Sequence, residues 1–550
     1  MIIRCKYIKV IITDKFIHYF FIIFSFPFKN YLIPLALSNI QIRSMSPYIL
    51  FAFVFGYFLL LLTVAWYTSK NSNNDSFFIG NRNSNWMLVA FGMVGTSLSG
   101  VTFVSVPGTV GSGGFGYYQV VIGYFIGYFV IAFILLPLYY KLNLTSIYRF
   151  LEDRFGPVSY RTGALFFIIS RTLGATARMF LVINILQIFI LDAMGVPFIV
   201  TAFIMLLLIL LYTFEGGVKT IVYTDTLQTT FMLGGLIICI IALMNKMDFS
   251  ISDTFSAMSA QGYTRIFNTD VNASGFFLKQ ILGGAFITIA MTGLDQEMMQ
   301  KNISVKTLGG SQKNVLTLAT VLLIVNVLFL MLGGLLYLYG AQNNISFKGD
   351  DIFPSIALGG YLSAGIGVIF IIGLISALFP SADGALTAMT SSFCIDMLGM
   401  QKDTLSTDKE KRKTRLTVHL SFALLFFVCV LIFKWIDDKS IIDVILKLAG
   451  YTYGPLLGLF TFGIFTKRVL NDKWAIWVCL LSPVLIFGID FINNAEWFAK
   501  KLALSENISA FLIQLSETLF SGFKIGIEIL ILNGILTFAG LWMISKKPTL

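Results

Sequence analysis

The chain has 550 residues, of which 57% are hydrophobic and 12% charged, with a mean hydropathy of +0.83. That composition excludes a water-soluble domain and describes a polytopic, all-α membrane protein, whose windows have the length of spanning helices. The formal net charge of +11 is gathered into particular loops, so it reads as topology and not as a nucleic-acid surface.

In chain order, a basic start (Arg4, Lys6, Lys9, Lys15) precedes an apolar run from Phe16 to Leu37 that is interrupted by Pro27, Lys29 and Pro34. Residues 1–44 read either as an extra hydrophobic segment or as an upstream extension, with Met45-Ser-Pro47 an equally good beginning. From Pro47 onward, windows of roughly 20 apolar residues recur near 47–69, 86–110, 117–140, 160–192, 197–214, 220–245, 274–298, 315–340, 358–396, 415–435, 441–466, 473–494 and 523–545. They predict about 13 transmembrane helices. Loops carrying Lys141, Arg149, Arg154 and Arg161, then Lys301, Lys306 and Lys313, then Lys402 to Arg415, alternate with loops carrying Asp248, Asp253, Asp270, Asp350 and Asp351. The positive-inside rule places the basic set, and the tail with Lys546 and Lys547, in the cytoplasm.

Five windows from 86 to 246 and five from 274 to 468 have equal number and opposite orientation, the arithmetic of an inverted repeat. On that reading 45–85 is a peripheral first span and 469–550 holds peripheral C-terminal spans. Each repeat opens on an interrupted window: Gly92, Gly95, Thr96, Ser97, Ser99, Gly100 and Thr102 in the first, Gly283, Gly284, Thr288, Thr292 and Gly293 in the second. A helix that unwinds at mid-span offers carbonyls and hydroxyls to a small cation. A small-residue packing face is the competing explanation.

Asp225, within Thr220-Ile-Val-Tyr-Thr-Asp-Thr-Leu-Gln-Thr-Thr230, is a carboxylate inside a span and costs roughly 2.5–3.5 kcal/mol on insertion scales, so it marks an ion pathway. The alternative is an interfacial Asp capped by Thr224. Gly373 to Thr387 again joins hydroxyls to an acid through Ser376, Ser381 and Asp383, and Pro380 removes the amide that would bond the Ser376 carbonyl. Ser–Asp capping of a helix break is compatible with a site there. Five cysteines without a CxxC spacing and two isolated histidines give no metal centre and no Ser-His-Asp enzyme.

The order of Thr96-Ser-Leu-Ser-Gly-Val-Thr-Phe103, Tyr148-Arg-Phe-Leu-Glu-Asp-Arg-Phe-Gly156, Tyr212 to Gly217 with Thr224-Asp225, Asp295-Gln-Glu-Met-Met-Gln300, Ser381-Ala-Asp383 and Gly450-Tyr-Thr-Tyr-Gly-Pro-Leu-Leu-Gly458 resembles the sodium:solute symporter family over residues 46–545. The resemblance implies a five-plus-five inverted-repeat core with discontinuous helices, no enzymatic activity and no cofactor, with sodium as coupling ion. It implies a sodium site formed by the carbonyls of Gly95 and Leu98 with Ala377 and the Ser381 hydroxyl. The serine that usually precedes the last of these is Pro380 here. In some members a second sodium sits at the Asp matching Asp225, where Asp383 stands in place of a hydroxyl ligand.

Arg171 and Arg178 share a helix face at i and i+7. They either hold the span by pairing with headgroups or carbonyls, or one of them takes a substrate carboxylate by a bidentate contact. Ser97, Thr102, Phe103 and Tyr451 complete the substrate candidates. One sodium driven by a tenfold gradient and 100 mV releases about 1.4 plus 2.3 kcal/mol, enough to concentrate a neutral solute roughly 500-fold. A monoanion carried with one sodium keeps only about tenfold.

The expected function is therefore sodium-coupled import of a small organic solute, with a carboxylate preferred, through the bacterial inner membrane. The alternatives are a sugar or amino-acid symporter and a non-transporting sensor of the same fold. The partners are sodium, the solute and the bilayer; nothing in the sequence sets an oligomeric state.

Overall fold

Apolar windows with few charges leave the backbone no partner but itself in lipid, so each is expected to close its hydrogen bonds within a helix. A computed structural model of the chain describes residues 46–69, 84–213, 217–346, 348–436 and 441–548. The first 44 residues, and Phe214 to Gly216 of the Tyr212–Gly217 motif, lie outside the described residues.

Among the described residues, eight helices are long and apolar enough to cross a membrane, and two bent helix pairs reach that length together. In chain order the main helices are α1 (Pro47–Ser69), α2 (Trp86–Ser97), α3 (Gly100–Gly113), α4 (Tyr117–Val130), α5 (Pro157–Leu186), α6 (Phe198–Thr213) and α7 (Gly217–Met247). There follow α8 (Phe277–Thr288), α9 (Gln296–Ile303), α10 (Leu308–Gln342), α11 (Ala364–Ser392), α12 (Asp408–Ile436), α13 (Ile441–Thr452), α14 (Gly454–Phe465), α15 (Asp472–Asn493) and α16 (Ile529–Met543). A two-residue antiparallel pair, Val469–Leu470 with Ser545–Lys546, ties the loop after α14 to the tail.

The first predicted interruption is present. Helix α2 stops at Ser97, Leu98 leaves helical geometry at φ −92° and ψ 76°, and α3 begins after an extended Ser99. The second falls at the far end of its window, at Leu294 and Asp295, where the chain bends by 65° between α8 with its following π-turn (Ile289–Gly293) and α9. Gly283 and Gly284 do not break α8. A Cβ on Gly284 would run into the Val120 carbonyl and one on Gly123 into the Ile281 carbonyl, so small residues let α4 and α8 approach backbone to backbone. Pro380 likewise sits inside a continuous α11.

The four cysteines among the described residues are free, and three of them are buried. His419 is buried, with Nε2 3.2 Å from the Thr213 hydroxyl and Nδ1 2.9 Å from that of Thr390, a packed polar contact between helices.

Candidate functional site

The last four carbonyls of any α-helix lack intrahelical donors, and at the end of α2 those include Gly95 and Leu98. Among the described residues no side-chain donor bonds to either carbonyl. The break lies against α11: a Cβ on Gly95 would stand 3.6 Å from Pro380 Cγ, and one on Gly100 would stand 3.8 Å from Leu378 N and 3.9 Å from Leu374 O. On α11, Ala377 is fully buried. Ser381 Oγ, also fully buried, donates to Leu378 O at 2.7 Å and keeps lone pairs for another partner. The structure thus brings the neighbourhood of Gly95 and Leu98 to that of Ala377 and Ser381.

The second break is capped differently. Tyr139 Oη donates to Gly293 O at 2.8 Å and Tyr148 Oη to Leu294 O at 3.0 Å. The Asp295 side chain accepts from the backbone amides of Glu297 (3.0 Å) and Met298 (3.3 Å), which opens α9 as an N-cap. The Gly293 and Leu294 carbonyls are thus taken up by the protein.

Between the breaks lies a buried chain of charges. Arg171 is paired with Glu297, and its Nη1 is 3.9 Å from Asp295 Oδ2. Tyr453 Oη donates to that same Asp295 oxygen at 2.8 Å. Lys301 Nζ donates to Asp225 Oδ2 at 2.8 Å and to Thr96 Oγ1 at 2.7 Å, and lies 3.5 Å from Glu297 Oε1. None of these charged side chains is more than 4% exposed. Gly384 is what makes room for Glu297, since a Cβ there would collide with its carboxylate. Asp383, the neighbouring residue, is buried on α11.

Sequence reasoning placed Lys301 in a cytoplasmic loop; it lies instead in helix α9 as the partner of Asp225, a correction to the charge pattern used for topology. Arg415, grouped with the third basic loop, is also buried. Of the two arginines, Arg171 is taken up by Glu297 and Asp295, whereas Arg178 makes no ion pair or hydrogen bond among the described residues.

A cavity of about 120 Å³ opens at the first break, lined by Ser97, Leu98, Ser99 and Thr102, by Tyr117, Tyr124 and Tyr128, and by Arg171, Arg178 and Asn326. An engineered cavity of about 150 Å³ accepts benzene, so this one has room for about one ring-sized group. Its apolar wall comes from Ile287 and Met291 on one side and Ile442, Ile445 and Leu446 of α13 on the other. Asn326 was not singled out by the sequence; its Oδ1 is buried without a hydrogen bond among the described residues and offers an acceptor to a solute.

Phe103 and Tyr451 are not brought to this cavity. The Phe103 ring is fully buried against Phe329, Phe353 and Phe370. The Tyr451 hydroxyl donates to Asp490 Oδ2 at 2.5 Å, and its ring packs on Phe487.

Comparison with known proteins fits this architecture. The chain shares 25% identity over 483 residues with a sodium/sialic acid symporter of Proteus mirabilis (strain HI4320), which spans 82% of this chain and 91% of the relative. A sodium/sialic acid symporter of Aliivibrio fischeri (strain ATCC 700601 / ES114) shares 24% over 458 residues, 81% of this chain and 88% of the relative. The fold matches that of a Na+-coupled sialic acid symporter in a substrate-bound outward-open state, with a TM-score of 0.73 at 21% identity over 91% of this chain and 99% of the other. The family model of the sodium:solute symporters matches residues 77–481, which include both interrupted spans and every charge between them, and the chain belongs to that family.

Proposed function

We propose that the protein is a sodium-coupled secondary active symporter that imports a small organic carboxylate by alternating access. On this reading it is a multi-pass protein of the bacterial inner membrane with a cytoplasmic C-terminus. About 13 spans in all include two inverted repeats of five, at 86–246 and 274–468. The observation that carries the reading is the placement of Arg178, without an ion pair among the described residues, in a cavity that opens on the unwound segment at Leu98 and Ser99.

An unwound segment with unclaimed carbonyls beside the Ser381 hydroxyl suits sodium, a hard cation that takes oxygen ligands. A guanidinium suits a planar carboxylate through its fork of donors. The hydroxyls of Ser97, Ser99 and Thr102 and the Asn326 amide suit a solute with several hydroxyls or amides of its own. An acidic sugar combines both features, which agrees with the sialic acid named for two relatives. A neutral sugar would leave Arg178 without a counter-charge, whereas an amino acid would bring a carboxylate of its own.

The test is uptake into proteoliposomes of N-acetylneuraminate, lactate and pantothenate. Replacing external sodium by choline is expected to reduce uptake to background. Ser381→Ala removes one oxygen ligand of about 1–2 kcal/mol and is expected to raise the sodium half-saturation about 5- to 30-fold while leaving expression close to wild type. Uptake that proceeds equally in choline would end the sodium-coupled reading.

A further inference from the structure

We infer that the ammonium group of Lys301 is a built-in cation at Asp225 and that the transporter consequently binds and couples to one sodium ion. This rests on the sodium-coupled reading above and goes further, to stoichiometry.

The Lys301 ammonium has three protons to place, and three oxygens surround it: Asp225 Oδ2 at 2.8 Å, Thr96 Oγ1 at 2.7 Å and Glu297 Oε1 at 3.5 Å. They come from three separate elements, since Asp225 lies on α7, Thr96 in the last turn of α2 and Glu297 on α9 itself. Thr96 Oγ1 also donates to Asp225 Oδ2 at 3.2 Å, which aims the hydroxyl lone pairs at the ammonium. A free monovalent cation bound to Asp225 Oδ2 and Thr96 Oγ1 would compete with the ammonium for those two oxygens, and one bound beside them would meet a like charge, which repels strongly in a buried site.

The two carboxylates that face it are matched by two cations of the protein. Asp225 and Glu297 face Lys301 and Arg171, and the fifth charge, Asp295, is stabilised by the amides of the α9 N-terminus and the Tyr453 hydroxyl. The second oxygen of Asp225, buried without a hydrogen bond among the described residues, is what an additional sodium would have to use, together with the buried Asp383 carboxylate. Gly384 supports the arrangement from the α11 side, since only a residue without a side chain leaves the Glu297 carboxylate where it meets both Arg171 and Lys301.

The functional consequence is electrical. A lysine charge is tethered and does not cross the membrane with the solute, so each cycle moves the sodium alone. With a monoanionic solute the cycle is electroneutral and is driven by the sodium gradient without a contribution from the membrane potential.

Equilibrium binding of ²²Na⁺ to the purified full-length chain tests the count with sodium as the probe. The wild type is expected to bind one sodium per chain, and Lys301→Met, which empties the position around Asp225, is expected to double that to two. Two sodium ions on the wild type would overturn the inference, and that measurement decides the matter alone if the variant does not fold. A folded Lys301→Met chain that still binds one would also overturn it, because the vacated oxygens would then not be a cation position. No sodium on the wild type would instead defeat the sodium-coupled reading on which the inference stands.

Discussion

Arg171→Met is expected to destabilise the folded protein by about 3–5 kcal/mol, the cost of removing one partner from a buried ion pair. The guanidinium is the near neighbour of both Glu297 and Asp295, so its loss leaves two carboxylates in a place that water reaches poorly. Lys301 compensates only in part, because it is 3.5 Å from Glu297 and already committed to Asp225. Arg171→Lys keeps the charge but cannot span two acids with one planar fork, and is expected to fall between the wild type and Arg171→Met. Adding Glu297→Gln to Arg171→Met removes one uncompensated charge and is expected to recover part of the loss. Thermal unfolding of the three variants in detergent checks the order. If Arg171→Met melts with the wild type, the Arg171–Glu297 contact is not holding α5 to α9. If the double variant is worse than the single, the cost comes from lost packing and not from unpaired charge.

Several parts of this network were legible in the sequence, and others were not, for physical reasons that differ. The first break could be read because glycines and hydroxyls crowd a window that otherwise wants Leu and Val, even though Gly95 and Gly100 also pack closely on Thr229 and Val182. The second was misplaced within its window because Gly283 and Gly284 satisfy such a demand: they lie against Ile527 and Val120, and the bend follows at Leu294. Asp225 announced itself as a charge inside a span, but its partner is 76 residues away, and nothing local connects them. Lys301 looked like a loop residue because it follows an apolar window and precedes Lys306 and Lys313. The available signal was its i,i+4 spacing from Glu297, which sets acid and base on one helix face. Aromatic residues were the weakest guide. Phe103 sits beside residues of the break and still packs against three other phenylalanines, an aromatic cluster that buries its ring away from the cavity.

Arg178→Gln is expected to weaken binding of an acidic substrate by about 2 kcal/mol or more, at least ~30-fold in affinity, because it removes one member of a desolvated charge pair. The reasoning starts from the contrast within α5. Arg171 and Arg178 share a face, yet Arg171 is neutralised by Glu297 and Asp295, while Arg178 lines the cavity with no ion pair among the described residues. A cation kept in that condition is costly in a membrane protein unless a ligand completes it. Around it stand Tyr117 and Tyr124, whose hydroxyls are 3.4 Å apart, and neither can supply the charge that a carboxylate would. Arg178→Lys keeps the positive charge and loses the paired donors, so it should bind the acid more weakly than the wild type and more tightly than Arg178→Gln. The measurement is binding of whichever of N-acetylneuraminate, lactate and pantothenate most raises the melting temperature of the purified protein, alongside the methyl ester of that same acid. The ester keeps the shape and removes the charge, so Arg178→Gln should lose affinity for the acid and leave the ester nearly unchanged. Equal binding of acid and ester by the wild type, or unchanged affinity for the acid in both variants, would remove Arg178 from substrate selection and the carboxylate with it, while sodium dependence would stand on the break at Leu98 and on Ser381.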